Sequence, residues 1–131
     1  MSKEYVKVSD VMIPKVITVD RMATVQEAVD IMRETGLRSL LVDRRDASDE
    51  YGLLVISDIA KNVMPDDMAA ERVNVYEIMS KPVVTIPADM NVKYAARLLV
   101  KFDLSRALVV DSARNPVGVI TLRDIVLTYY A

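Results

Sequence analysis

The chain has 131 residues, 52% of them hydrophobic, with 17 basic and 19 acidic side chains, a net charge of −2, and neither cysteine nor histidine. That is ample material for a core, and it excludes disulfides, thiolate or Cys/His zinc centres and histidine-based triads. The interspersed charge argues against nucleic-acid binding, which needs a basic face, and no apolar run reaches the ~18 residues of a membrane span. The opening MSKEYVKVSD lacks the apolar stretch of a secretory signal, so the cytoplasm is the expected compartment.

In chain order, the first predicted strand is VITV, residues 16–19. A helix follows, because Val25, Ala28, Val29 and Met32 fall on one face at helical spacing. Thr24 stands where an N-cap belongs, and Gly36 where a helix closes. Residues 39–43 (SLLVD) and 52–56 (GLLVI) are continuous apolar runs, as in strands covered on both faces. Ile56, Ile59, Ala60, Val63 and Met64 mark a closing helix, and residues 65–74 form a polar connector.

The layout then recurs. VVTI (83–86) predicts a strand, and Asn91 caps a helix with Val92, Ala95, Ala96, Leu99 and Val100 on one face. ALVVD (107–111) and VGVIT (117–121) predict two more strands, and Leu122, Ile125, Val126, Tyr129 and Tyr130 mark the last helix. The internal match is segmental. TVQEAVDIM (24–32) aligns with NVKYAARLL (91–99) at an offset of 67, RSLLVD (38–43) with RALVVD (106–111) at 68, and GLLVISDI (52–59) with GVITLRDI (118–125) at 66. This drift places one extra residue before Arg106 and two in the loop 44–51.

The expected fold is therefore α/β, of the α+β kind. Two β-α-β-β-α repeats, 8–64 and 75–130, pack through their sheets with pseudo-two-fold symmetry. A half of this size buries only ~60% of its unfolded surface, so one inseparable pair is expected.

The junctions before the closing helices carry the chemistry. Thr121 and Asp124 have the spacing of a capping box, which satisfies free backbone N–H groups at a helix start. The same pair suits a nucleotide: a carboxylate accepts from two adjacent ribose hydroxyls, and a helix N-terminus favours phosphate. In the first repeat Val55 replaces the threonine, while Asp58 remains and Ser57 offers an alternative cap. Retention of the acid there favours a role beyond capping. The loss of the threonine makes the first repeat the weaker nucleotide-site candidate.

Tandem halves carrying DVM and EIM, VITV and VVTI, RSLLVD and RALVVD, GLLVISDI and GVITLRDI resemble a cystathionine β-synthase (CBS) domain pair, or Bateman module. The resemblance spans residues 8 to 130. It implies a stand-alone, non-catalytic regulatory module. Such a module binds an adenine nucleotide or related adenosyl ligand (AMP, ADP, ATP or S-adenosylmethionine) in clefts between the halves and needs no other cofactor. It signals to an unidentified protein partner and pairs into a homodimer. By the same resemblance the ligand is held by Thr121, Arg123 and Asp124, with Ser57 and Asp58 in the matching first-repeat positions. Backbone groups at Val16, Thr18, Val83 and Thr85 read the adenine. Arg38, Arg106 and the adjacent Ala107 line the cleft. The proline common in the family's second strand is absent, Leu40 and Leu108 occupying that region. Against this stands a ligand-free assembly module built on Tyr129 and Tyr130, since aromatic residues are enriched at interfaces. An enzyme finds little support, because no nucleophile–base pair accompanies Asp58 and Asp124.

Overall fold

Two three-stranded sheets organise the protein, described over residues 5–81 and 84–131 of a computed structural model. The first set of elements is β1 (Thr18–Val19), α1 (Val25–Thr35), β2 (Ser39–Val42), β3 (Gly52–Val55) and α2 (Ile56–Asn62). The second is β4 (Thr85–Pro87), α3 (Val92–Lys101), β5 (Arg106–Val110), β6 (Pro116–Thr121) and α4 (Leu122–Tyr129). Each sheet is mixed, its first pair parallel and its second antiparallel. The β-α-β-β-α order expected twice is thus present twice, in an α+β tandem-repeat fold. Val16 lies outside β1, and Val83 lies outside the described residues.

Local chemistry sets the boundaries. Thr24 Oγ1 accepts from the Glu27 N–H at 3.1 Å, and Asn91 Oδ1 from the Lys93 N–H at 2.9 Å, so each long helix starts on a side-chain cap. Gly36 ends α1 at φ 75°, its N–H returning to the Met32 carbonyl, a left-handed turn that glycine adopts without steric cost.

Alternate strand residues face opposite ways. In the second sheet Ile86, Ala107, Val109 and Ile120 meet Val92, Ala95, Leu99 and Ile125 of the helices in one buried cluster. Cross-strand pairing puts Thr85, Arg106, Leu108, Val119 and Thr121 on the other face. In the first sheet Val19, Leu40, Val42 and Leu54 meet Val25, Ala28, Met32 and Ile59, and Thr18, Ser39, Leu41, Leu53 and Val55 face away. Leu41 and Leu108 are only 3% and 1% exposed although they face away from the helices, as the continuous apolar runs predict. The closing helices are short, and each buries one line of side chains. Ile59 and Ile125 are buried, whereas Ile56, Met64, Val126 and Tyr130 of the expected stripes are 51% to 73% exposed.

The compact units differ from the sequence repeats. One combines the described residues of Met1–Val16 with Val84–Ala131; the other comprises those of Ile17–Val83. Val8 is fully buried in the second-sheet cluster, its N–H bonding the Met90 carbonyl at 2.8 Å. Val73 and Val75 are buried in the first-sheet cluster, and the Val25 N–H bonds the Val73 carbonyl at 2.8 Å. The stretch 65–74 is therefore not wholly a polar connector: Ala70–Arg72 forms a 3-10 turn, and Val73 is core. Each repeat's lead-in segment staples the sheet that follows the other repeat's lead-in.

Both staples use the same geometry. Ile13 exchanges two backbone hydrogen bonds with Val119 (2.8 and 3.1 Å), and Ser80 does so with Leu53 (2.9 and 3.0 Å). The strand residue beside each bridge is a glycine. A Cβ at Gly118 would lie 2.6 Å from the Ile13 carbonyl oxygen, and one at Gly52 would lie 2.4 Å from Met79 Sδ. Close approach of the lead-in thus explains the glycine that begins both repeated segments. Among the described residues, no helix is long and apolar enough to cross a membrane.

Candidate functional site

Among the candidate residues of the second repeat, Arg106, Thr121, Arg123 and Asp124 lie in one compact unit near the point where β6 passes into α4. Thr121 ends β6, is buried to 7% exposure and caps α4, its Oγ1 accepting from the Asp124 N–H at 3.1 Å. Asp124, its side chain 26% exposed, lies 3.4 Å from the guanidinium of the exposed Arg123. Arg106 opens β5 directly opposite Thr121, and Thr85 faces Leu108, two residues further along β5. Cross-strand partners carry their Cβ atoms ~5 Å apart on the same face, so Arg106 and Thr121 are side-by-side neighbours. The Nε of Arg106 is shut off from solvent. The junction therefore sets the Thr121 hydroxyl and the Asp124 carboxylate at the positive end of a helix, with Arg123 beside Asp124, Arg106 on the neighbouring strand and Thr85 one strand further on the same face.

The first repeat arranges the same junction differently. Asp58 Oδ2 accepts the Val55 N–H at 2.9 Å, so here the carboxylate is the cap. The second repeat makes the hydroxyl half of a capping box and the first the carboxylate half. Retention of Asp58 where the threonine is lost thus has a structural explanation in the cap itself. Ser57 is exposed in the first turn of α2, and the capping bond is made by Asp58 instead. Asp58 and Asp124 lie in different compact units.

Strand pairing also corrects the alignment of the repeats. Ser39 pairs with Val55 as Arg106 pairs with Thr121. The Ile56 N–H bonds the Arg38 carbonyl as the Leu122 N–H bonds the Ser105 carbonyl, both at 2.9 Å. The first strands agree, Thr18 pairing with Leu41 and Thr85 with Leu108. Arg106 is therefore the counterpart of Ser39, and Arg38 that of Ser105. No residue is therefore extra before Arg106: the offset stays at 67 from Thr18 to Val42 and falls to 66 at Gly52, so the first repeat's loop is one residue longer. Arg38 precedes β2 and lines the groove between α1 and α2 with Met32, Ile56 and Ile59, apart from Thr18 and Ser39. Ala107 belongs to the helix-side core, so its side chain is not on the Thr121 face. Ser39 was not legible as a site position, because RSLLVD and RALVVD look most alike when aligned one residue out of the register that strand pairing sets.

In the loop 44–51 several ionisations are displaced from their ordinary values. Asp49 is held well below the usual carboxylate range, first by the Arg45 backbone N–H and then by Lys81 and the Arg45 side chain. The Lys81 ammonium stands 2.8 Å from it, and Arg45 Nε 3.2 Å. Among the described residues, no group of three or more His, Cys, Asp or Glu side chains could hold a metal ion.

Residues 8–65 and 75–130 match the family model of the CBS domain. An uncharacterised protein of Methanopyrus kandleri is 31% identical over 121 residues, which cover 92% of this chain and 61% of that relative, so the chain spans about three fifths of its length. The hexameric CBS-CP12 protein from bloom-forming cyanobacteria is similar at 33% identity and a TM-score of 0.89, over 95% of this chain and 71% of that one. A CBS domain pair solved in complex with 5′-methylthioadenosine and S-adenosyl-L-methionine is similar at 26% identity and a TM-score of 0.79, over 96% and 97% of the two chains.

Proposed function

The chain belongs to the CBS domain family, both repeats matching its model, and from that premise we propose that it is a non-catalytic regulatory module that binds an adenosyl ligand and passes the change to a partner protein. The observation that carries this reading is the β6–α4 junction, where Thr121, Asp124, Arg106 and Arg123 offer donors and acceptors for a ribose and its 5′ substituent. The similar CBS domain pair solved with two adenosyl ligands supports the same class. In this role Asp124 accepts from the ribose hydroxyls, and Thr85 stands at the strand where backbone groups would read the adenine. A ligand regulates only through unequal affinity for two arrangements of the protein, so the partner would sense whichever one the ligand favours. Self-association belongs to the same reading. Val126, Leu127 and Tyr130 leave an exposed apolar face on and just after α4, and the cyanobacterial neighbour is hexameric.

Titration calorimetry with AMP, ADP, ATP and S-adenosylmethionine tests the proposal. At least one should bind, and Asp124→Ala should weaken it by about 10- to 100-fold, the cost of a charge-assisted hydrogen bond. Absence of heat with all four, together with an unchanged melting temperature, would overturn it.

A further inference from the structure

Helices α1 and α3 hold matching places in the two units, and their outer faces carry opposite charge. Each buries one line of side chains: Val25, Ala28 and Met32 in α1, Val92, Ala95 and Leu99 in α3. The exposed positions of α1 hold three acids, Glu27, Asp30 and Glu34, against one base, Arg33. Those of α3 hold Lys93, Arg97 and Lys101 and no acid. At the repeat offset of 67, Arg97 stands where Asp30 does, and Lys101 where Glu34 does. Arg33 pairs with Asp30 at 3.2 Å, whereas no ion pair involves Lys93, Arg97 or Lys101 among the described residues. The basic run works against its own helix. Its three cations recur every four residues, where like charges repel, and Lys93 stands in the first turn, at the positive end of the dipole. They lie among exposed apolar side chains. Arg97 sits over the Tyr94 ring at 5.4 Å, and Tyr94, Val100 and Phe102 are each more than half exposed.

Resting on the self-association proposed above, we infer that the basic helix face of the second unit docks on the acidic helix face of the first unit in another copy of the chain. A second copy is the partner this surface specifies, because it brings acids at the positions that match Arg97 and Lys101. Contact between like units would instead set three acids against three, or three cations against three. Exposed ion pairs add little affinity, so apolar side chains supply the attraction and the charges choose which faces meet. Beside α3, α4 adds exposed Val126 and Leu127 to the basic face. Beside α1, α2 adds exposed Ile56 and Met64, which line an apolar groove with Met32 and Ile59. Arg33 and Arg38 line that groove too. The acidic strip is therefore the outer side of α1, where Glu27, Asp30 and Glu34 follow one another at spacings of three and four.

The test measures self-association of the full chain by sedimentation and light scattering as salt is raised. Two variants each reverse one face: Glu27→Lys, Asp30→Lys, Glu34→Lys in α1, and Lys93→Glu, Arg97→Glu, Lys101→Glu in α3. All six positions are exposed, so the core is untouched. Each variant should weaken assembly at least tenfold, and all six changes in one chain should restore it. Raised salt should weaken assembly of wild type. If a triple variant fails to fold, Asp30→Arg, Arg97→Asp and the salt dependence of wild type decide. Contact between like units gives the opposite pattern: reversing one face changes nothing, and salt strengthens assembly. Either of those results would overturn the inference and leave self-association standing. A wild-type chain that stays single at micromolar concentration would overturn both, and binding of polyglutamate through α3 by that single chain would give the face to an acidic protein of another kind. The adenosyl reading is tested separately, by calorimetry.

Discussion

Gly118 and Gly52 show how one repeated residue type answers to unequal surroundings. At Gly118 a methyl group would press on the Ile13 carbonyl, part of a backbone bridge that cannot move without breaking its bonds to Val119. At Gly52 the nearest atoms belong to the flexible thioether of Met79. Gly118→Ala should therefore cost about 1–3 kcal/mol, as overpacking does, and Gly52→Ala less than about 1 kcal/mol. Urea unfolding midpoints of the two variants measure the difference, and equal losses would contradict it. The residue scale is also where sequence reading succeeds and fails most visibly. Thr24, Asn91, Gly36 and Thr121 act as their types and spacing predict, because capping is decided within four residues. Asp58 does not follow the same logic, because its acceptor role depends on what Val55 lacks. The non-equivalence of Arg38 and Arg106 is set by cross-strand pairing, which the likeness of the two segments misplaces by one residue.

At the scale of elements, the β2–β3 hairpin is tied to the lead-in of the second repeat by charge. Asp49 joins Arg45 within the loop to Lys81, the residue after the Leu53–Ser80 bridge. Its folded pKa lies below the ordinary aspartate value of about 3.9. The stabilisation it provides is complete above the unfolded-state pKa and is lost as pH falls through the lower folded value. Wild-type stability should therefore decline below about pH 4 with a component that Asp49→Asn lacks. Thermal melts of both proteins across that range compare the slopes, and parallel curves would remove the tie. The sequence marks residues 44–51 as a loop but gives no sign of this link, since Asp49 and Lys81 are 32 residues apart. Helix and strand order was legible because helical stripes and short continuous apolar runs are local features. The outward turn of Ile56, Met64, Val126 and Tyr130 was not, because apolar spacing marks a stripe without saying how much of it a short helix can cover.

At the scale of the whole molecule, the proposed self-association makes a prediction of its own. Val126 and Leu127 are 51% and 58% exposed on α4, so changing them leaves the core intact. Light scattering should show wild type larger than a single chain, and the Val126→Asp, Leu127→Asp double variant reduced to one. A wild-type monomer at micromolar concentration would exclude this face as an interface. Exchange of the lead-ins was invisible in the repeat pattern, which reports similarity of segments and not which sheet each one joins. Val8 and Val75 occupy corresponding places in the two cores, yet each is delivered from the neighbouring repeat's side of the chain. That crossover fixes what recombination can usefully carry from one gene to another. A cut at the repeat boundary strands each sheet without the arm that plugs it, whereas a cut outside both repeats moves the two arms with their slots. The second sheet therefore travels with its arm only in a segment that begins before Val8, whereas the contiguous stretch Ile17–Val83 carries the first sheet and its arm together.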